Sequence, residues 1–356
     1  MLNPRQHHPI LCILPPHILV HIASSAATQE QRARAIETLE LDHSLRTSRV
    51  TFSLLGGLQV RHPAAALASP QEKRTIYDAQ HTQNLPGHLV RAEGQPPVGD
   101  NAVNQAYDGL GDTFVFYLTA YQRNSIDNAG LPLTASVHFG RNYDNAFWNG
   151  QQMVFGDGDG VIFNGFTASV DVIGHELTHG VTGSEANLTY QGQSGALNES
   201  ISDVFGSCVK QFKLKQTAAQ ADWLIGAGLL ASGIKGVALR SMKSPGTAYD
   251  DPQLGKDPQP ADMAHYVHTT QDNGGVHINS GIPNHAFFLA ATSIGGHSWE
   301  KAGRIWYDTV CDHNLHPSAN FSAFAKLTAR HAGLLYGNGS TEQKAVLDAW
   351  KQIGVK

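Results

Sequence analysis

The sequence predicts an α+β chain of two lobes, a β-rich N-terminal lobe and a mostly helical C-terminal lobe, with the functional site in the cleft between them. Three observations predict it. The 356 residues exceed the length of one ordinary domain, roughly 100 to 200. Between Val50 and about Gly165 the chain reads as short β-branched and aromatic runs bounded by Gly, Pro, Asn and Asp. From Ser169 onward the apolar residues recur at helical spacing. A cleft between two such lobes is where a site usually forms.

The elements follow in order. The first 45 or so residues stand apart: an apolar stretch carrying Pro15-Pro16 precedes a run of helix formers, and Thr28 with Gln31 can form a capping box. They predict a short element and then a helix, joined onward by a polar stretch around Ser44 to Arg49. Strands are expected at VTFSLL (50–55), TFVFYLTAY (113–121) and LTASVHFG (133–140). Helices are expected at Ser169–Val181, Gly195–Phe212, Gly281–Ile294, Ser298–Cys311, Asn320–Leu335 and Glu342–Ile353. The run Asp157-Gly-Asp-Gly160 lacks oxygen ligands at the fifth and twelfth loop positions, Val161 and Ala168, and reads as a tight turn rather than a calcium loop.

Composition removes several classes of function. Charged residues are 15% against 41% hydrophobic, which excludes disorder, and a net charge of −5 gives no basic footprint for nucleic acid or an anionic membrane. The chain contains no apolar run of 18 residues, so no transmembrane helix is expected. Cys12, Cys208 and Cys311 allow at most one bridge and no zinc ribbon. The stretch Pro9 to Ile22 is apolar but broken by prolines and histidines, so it makes no convincing signal peptide. Histidine, the commonest metal ligand, is unusually frequent, 19 against 25 Lys and Arg together.

The chemistry concentrates in Asp171 to His179, which contains H-E-x-x-H. On a helix His175 and His179 are one turn apart on one face and can share a zinc ion. Val172, Ile173, Leu177 and Val181 give that helix a buried face. Catalytic zinc commonly takes two His, one Glu and a water. Downstream, Glu199 and Asp203 share a face beside the apolar stripe Leu197, Ile201, Val204 and Cys208. Glu199 is the candidate third ligand, and Asp203, with Asn198, stands behind the ligands, Asp203 to accept the second ring N–H of a ligand histidine.

HELTH, ALNESISD, NAFWNGQQMVFGDGDG and DNGGVHINSGIPNHA together resemble the thermolysin family of zinc endopeptidases, in order from about Asn101 to the C-terminus. The N-terminal Pro15-Pro16-His-Ile-Leu19 and the later KRTIYDAQH resemble its protealysin branch, whose precursors carry a short propeptide. The resemblance implies one zinc on His175, His179 and Glu199, with Glu176 as general base. Zinc lowers the pKa of a water towards about 7, and Glu176 would take its proton and return it to the leaving amine. Tyr190 and His277 would support the oxyanion, with Asp272 orienting His277. Asn145 and the backbone of Ala146 look like the strand edge that pairs with an extended polypeptide substrate, and Arg240 like the arginine that holds a carbonyl on the leaving side. Phe163, Phe166, Val172 and Leu239 fall at or near the main specificity pocket, so cleavage before a bulky apolar residue is implied.

The family's double calcium site is expected to be absent, because Lys210, Leu224 and Ala227 stand where acids belong beside Asp171 and Asp222. Residues 1–50 are expected to form a propeptide that inhibits in the cleft and is removed by autocatalytic cleavage between residues 45 and 70. Residues 51–183 would be the N-terminal lobe and 184–356 the helical lobe. Cys12 is a candidate for approach to the zinc. A secreted monomer is implied; the alternative is a zinc-stabilised binding protein without catalysis.

Overall fold

The computed structural model describes residues 11–25, 28–54 and 70–356. The expected capping box is present: the Thr28 amide donates to Gln31 Oε1 (2.8 Å) and the Gln31 amide to Thr28 Oγ1 (3.2 Å). It starts α2 (Gln29–Leu54), which follows a short strand β1 (Leu11–Cys12) and α1 (Pro16–Ser24), whose first residue is a proline preset for a helical start. Residues 50–54 of the expected strand VTFSLL are the end of α2, while Leu55 lies outside the described residues. The expected propeptide boundary spans the end of that helix and residues 55–69, which also lie outside them.

One sheet of six strands organises the first lobe, in the order β1-β5-β6-β4-β2-β3. Its members are β2 (Arg74–Asp78), β3 (His88–Ala92), β4 (Leu133–Val137), β5 (Ala146–Trp148) and β6 (Met153–Phe155), with β1 supplied by the N-terminal segment. β2, β4 and β6 are parallel neighbours, while β1 runs antiparallel to β5 with Leu11 opposite Trp148 and Cys12 opposite Phe147.

The second expected strand, TFVFYLTAY, is instead the last part of α3 (Asn101–Tyr121). Its β-favouring residues were outvoted by spacing: Val103, Ala106, Tyr107, Leu110, Phe114, Tyr117 and Tyr121 are buried at steps of three and four. Asp100 caps this helix, accepting from the Ala102 and Val103 amides.

From Val170 onward the chain is largely helical as expected: α4 (Val170–Ser184), α5 (Gly192–Leu214), α6 (Asp272–Asn279), α7 (Gly281–Ile294), α8 (Ala302–Val310), α9 (Phe321–Tyr336) and α10 (Thr341–Gln352), where α6 was not expected and the others are shifted at their ends by a few residues. Two ribbons sit between α5 and α6: β7 (Leu224–Ile225) with β8 (Arg240–Ser241), and β9 (Asp250–Asp251) with β10 (Gly255–Lys256). The run Asp157–Gly160 is the expected turn, closed by Asp159 Oδ1 accepting from the amides of Val161, Ile162 and Phe163. Cys12, Cys208 and Cys311 form no disulfide with one another.

The close crossing of α4 and α5 sets the site. A Cβ at Gly206 would overlap the Asp171 carbonyl and come within 3.0 Å of the His175 nitrogen. Gly206→Ala is therefore expected to push α5 off α4, destabilise the chain by about 1–3 kcal/mol as overpacking does, and weaken zinc retention. Urea unfolding together with zinc content checks this; a variant equal to the parent in both would show that the crossing tolerates the methyl.

Candidate metal centre

α4 is buried on every side from Asp171 to Gly183, so its two histidines are held by packing all round. His175 Nε2 and His179 Nε2 lie 3.0 Å apart, and Glu199, projecting from α5, sets carboxylate oxygens 3.5 Å from each. These three residues are the buried cluster whose ligand atoms all lie within 4.8 Å of one another.

The hydrogen bonds fix which ring nitrogens carry protons. His175 Nδ1 lies 2.7 Å from Asp203 Oδ1 and His179 Nδ1 lies 2.8 Å from Asn198 Oδ1. Both oxygens can only accept, so both Nδ1 atoms donate. Burial pushes His179 down to about 3, leaving it neutral with a lone pair on Nε2. Burial would raise Glu199, but the neighbouring histidines, His277 foremost, outweigh it and hold the carboxyl below its ordinary value. Its Oε2 is buried without a hydrogen-bond partner. A lone pair and a buried anion facing one point make a donor set of nitrogen and oxygen that a zinc ion fits.

Asp203 is fully buried and holds the arrangement from behind. Besides His175 it accepts Arg240 Nε and Nη2, both at 2.8 Å, and Asn284 Nδ2 at 2.8 Å. Burial opposes its ionisation, but Arg240 and His175 keep its carboxyl well below the usual range. Ser202 Oγ also reaches His179 Nδ1 at 2.9 Å. Ser202 was legible in principle, three residues after Glu199 on the same helix. Asn284 was not, since no spacing ties it to Asp203.

Glu176 lies beside the cluster. Its Oε2 accepts the Trp148 amide of β5 at 3.0 Å, and its Oε1 is buried without a hydrogen-bond partner. Burial first, and the Glu199 charge second, push its carboxyl well above the ordinary value. Trp148 is a backbone contact that no side-chain pattern signals.

Opposite stands His277. Its Nδ1 meets Asp272 Oδ1 at 2.7 Å, while its Nε2 meets the Cys12 carbonyl at 3.1 Å and Tyr190 Oη at 3.2 Å. Carboxylate and carbonyl both accept, so both ring nitrogens donate and His277 is an imidazolium. Burial disfavours that charge, but Asp272 and Glu199 outweigh it and raise the histidine above its ordinary value. Tyr190 donates to Glu199. Asp272 reaches His277 because Asp272 to Gly275 all take positive φ, a turn that Asn, Asp and above all Gly tolerate.

The N-terminal segment occupies the cleft. The Ile13 amide donates to the Ala146 carbonyl (3.2 Å), the Leu14 amide to Asn145 Oδ1 (3.0 Å), and Arg240 Nη1 to the Ile13 carbonyl (3.0 Å). Asn145 is held in turn by Asp42, which accepts its Nδ2 at 3.0 Å. Ile13 is buried in the same apolar core as Phe163, Phe166, Val172 and Leu239. The side chain of Cys12 differs from the zinc-approach expectation: it packs with Ala79, Phe139, Tyr143, Phe147 and Val154, because residues alternate faces along a strand and Cys12 pairs with Phe147. Elsewhere Lys210 Nζ lies 3.1 Å from Asp171 and 2.8 Å from Asp222.

Comparison with known proteins agrees with this geometry. Residues 59–183 match the family described as "Thermolysin metallopeptidase, catalytic domain", and residues 186–355 match "Thermolysin metallopeptidase, alpha-helical domain". The chain is 56% identical over 348 residues to an "Extracellular metalloprotease" of Pectobacterium carotovorum subsp. carotovorum, covering 98% of this chain and 97% of that one. It is 48% identical to "Protease PrtS" of Photorhabdus sp. (strain Az29), covering 97% and 92%. Among solved structures it is similar to the precursor of protealysin, a metalloproteinase from Serratia proteamaculans, with a TM-score of 0.87 and 54% identity over 97% of this chain and 100% of that one. The chain therefore belongs to the thermolysin family of metallopeptidases, in its protealysin-like branch, and is a metalloendopeptidase.

Proposed function

We propose that this zinc-dependent neutral endopeptidase is made as a zymogen, cuts polypeptides on the N-terminal side of bulky apolar residues, and uses Glu176 as general base. The observation that carries the reading is the backbone ladder of Cys12 to Leu14 in the cleft. A substrate in the same place would give its carbonyl to His277, the next amide to Ala146, the next carbonyl to Arg240 and the following amide to Asn145. Such main-chain recognition tolerates many sequences, and specificity then rests on the pocket for the residue after the cut. Ile13 holds that place, in an apolar core with Phe163, Phe166, Val172 and Leu239.

His175, His179 and Glu199 would hold the zinc, which supplies a Lewis acid and a water acidic enough to lose a proton near neutral pH. Glu176 would accept a proton on its Oε1, which is buried without a hydrogen-bond partner, and return it to the departing amine. The imidazolium of His277, fixed by Asp272, donates to the developing oxyanion together with Tyr190. Asp203 and Asn198 keep the ligand histidines in the required tautomer.

The segment up to about residue 50 acts as the propeptide, and the extracellular relatives support secretion of the product. The test is digestion of casein with and without a zinc chelator, with the new N-termini read by mass spectrometry. Chelator-sensitive cleavage before Leu, Ile, Phe or Val is expected; cuts without preference would remove the specificity. N-terminal sequencing of the active enzyme should begin between residues 45 and 70, and an active form still starting at Met1 would refute the zymogen.

We also propose that no double calcium site forms beside α4. A hard cation needs six or more oxygens, whereas the Lys210 ammonium already satisfies Asp171 and Asp222 and donates to the Leu224 carbonyl at 3.2 Å. The melting temperature is expected to be the same in calcium and in magnesium at equal ionic strength. A rise specific to calcium that Asp222→Asn abolishes would contradict this.

A further inference from the structure

The carboxyl ends of three parallel neighbours, β2, β4 and β6, carry a second group of ligand-type side chains. His81 lies three residues after β2, His138 directly follows β4, and Asp157 lies two residues after β6. One ligand-type atom from each falls within 4.8 Å of the others. His138 Nδ1 is 2.8 Å from Asp157 Oδ1, and His81 Nδ1 is 3.3 Å from Asp157 Oδ2. We propose that His81, His138 and Asp157 form a second metal site, for a zinc-type divalent ion, separate from the centre in the cleft.

The surroundings are built for this. Asp100 divides its two oxygens: Oδ1 caps α3 by accepting the Ala102 amide at 2.8 Å, and Oδ2 accepts His138 Nε2 at 2.7 Å. A carboxylate on one ring nitrogen is the arrangement usual behind ligating histidines; because Nδ1 also donates to Asp157, an ion binds there by displacing the Nδ1 proton to solvent. The backbone is fixed as well, since the His81 amide donates to the His138 carbonyl at 2.8 Å and the Phe139 amide to the Phe155 carbonyl at 3.0 Å. Both histidines are held at positive φ, 57° and 54°, conformations a non-glycine residue adopts at some cost. Two imidazoles and one carboxylate suit zinc, copper or nickel rather than calcium, which wants oxygen. His81 is 55% exposed and His138 20%, so an ion can enter from solvent and keep water in its open positions. Bound there, it would tie three strand ends together at the start of the loop that leads to Asn145 and β5.

Zinc titration tests the site. Glu176→Gln chain, verified as full length by mass spectrometry, is brought to one zinc equivalent by metal analysis and then titrated with zinc in a calorimeter. A further binding event is expected. It should be lost in His81→Gln and weakened about 10–100-fold in Asp100→Asn, which removes the carboxylate behind His138 but keeps a residue able to cap α3. His81 is exposed, so the melting temperature of His81→Gln without added zinc reports whether the fold is intact. Absence of any event below about 1 mM zinc, or an event unchanged in a folded His81→Gln chain, would overturn the proposal and leave a hydrogen-bonded cluster.

Discussion

Glu176→Gln is expected to lower peptide hydrolysis by about a thousandfold, within the ~10²–10⁴-fold contribution of a positioned acid–base group. The replacement keeps shape and can still accept the Trp148 amide, so the fold should be undisturbed. It removes a carboxyl whose pKa burial and Glu199 push upward, and with it the capacity to hold and return a proton. Zinc content should be unchanged, because Glu176 is not one of the three converging residues. The precursor should also persist at full length if its removal depends on its own activity. Casein hydrolysis, zinc analysis and a gel of the purified chain read the three outcomes. Activity within tenfold of the parent would mean that another group carries the proton.

Arg240→Met is expected to cost about 3–5 kcal/mol of stability, the penalty typical of leaving one member of a buried ion pair unpaired. Asp203 would keep only His175 and Asn284 after losing two charge-assisted bonds at 2.8 Å. Denaturant unfolding in the Glu176→Gln background measures the loss, and Arg240→Lys should fall between the two because it restores charge without the fork. The sign with pH follows from the depressed carboxyl of Asp203. Its contribution is fully present above an ordinary carboxylate pKa of about 4 and disappears as pH falls through the lower folded value. The deficit of Arg240→Met relative to the parent should therefore be largest near neutral pH and shrink in acid. A loss under about 1 kcal/mol at pH 7 would show that His175 and Asn284 suffice.

The parts of the chain that could be read directly were those where one local pattern permits one geometry. His175 and His179 had to share a face once their segment was helical, and Glu199 and Asp203 likewise. Thr28 and Gln31 cap each other through neighbouring backbone atoms, and Lys210 meets the carboxylate of Asp171. TFVFYLTAY could not be read, because its residues favour strands one by one and only the buried side of a 21-residue helix reveals their spacing. Cys12 misled for a related reason: a thiol near the cleft in sequence faces either side of β1, and pairing with β5 turned it to the apolar side.

By itself the sequence determined which groups converge, His175, His179 and Glu199 with Glu176 beside them, since helical periodicity converts their spacing into position. Only the tertiary structure decided what surrounds them. Asn284 reaches Asp203, Trp148 reaches Glu176 and Cys12 reaches His277 across separations of 81, 28 and 265 residues. Such contacts depend on how whole elements pack, on a glycine at position 206 that lets two helices touch, and on a strand that adds to the edge of a sheet. No local rule of spacing encodes them.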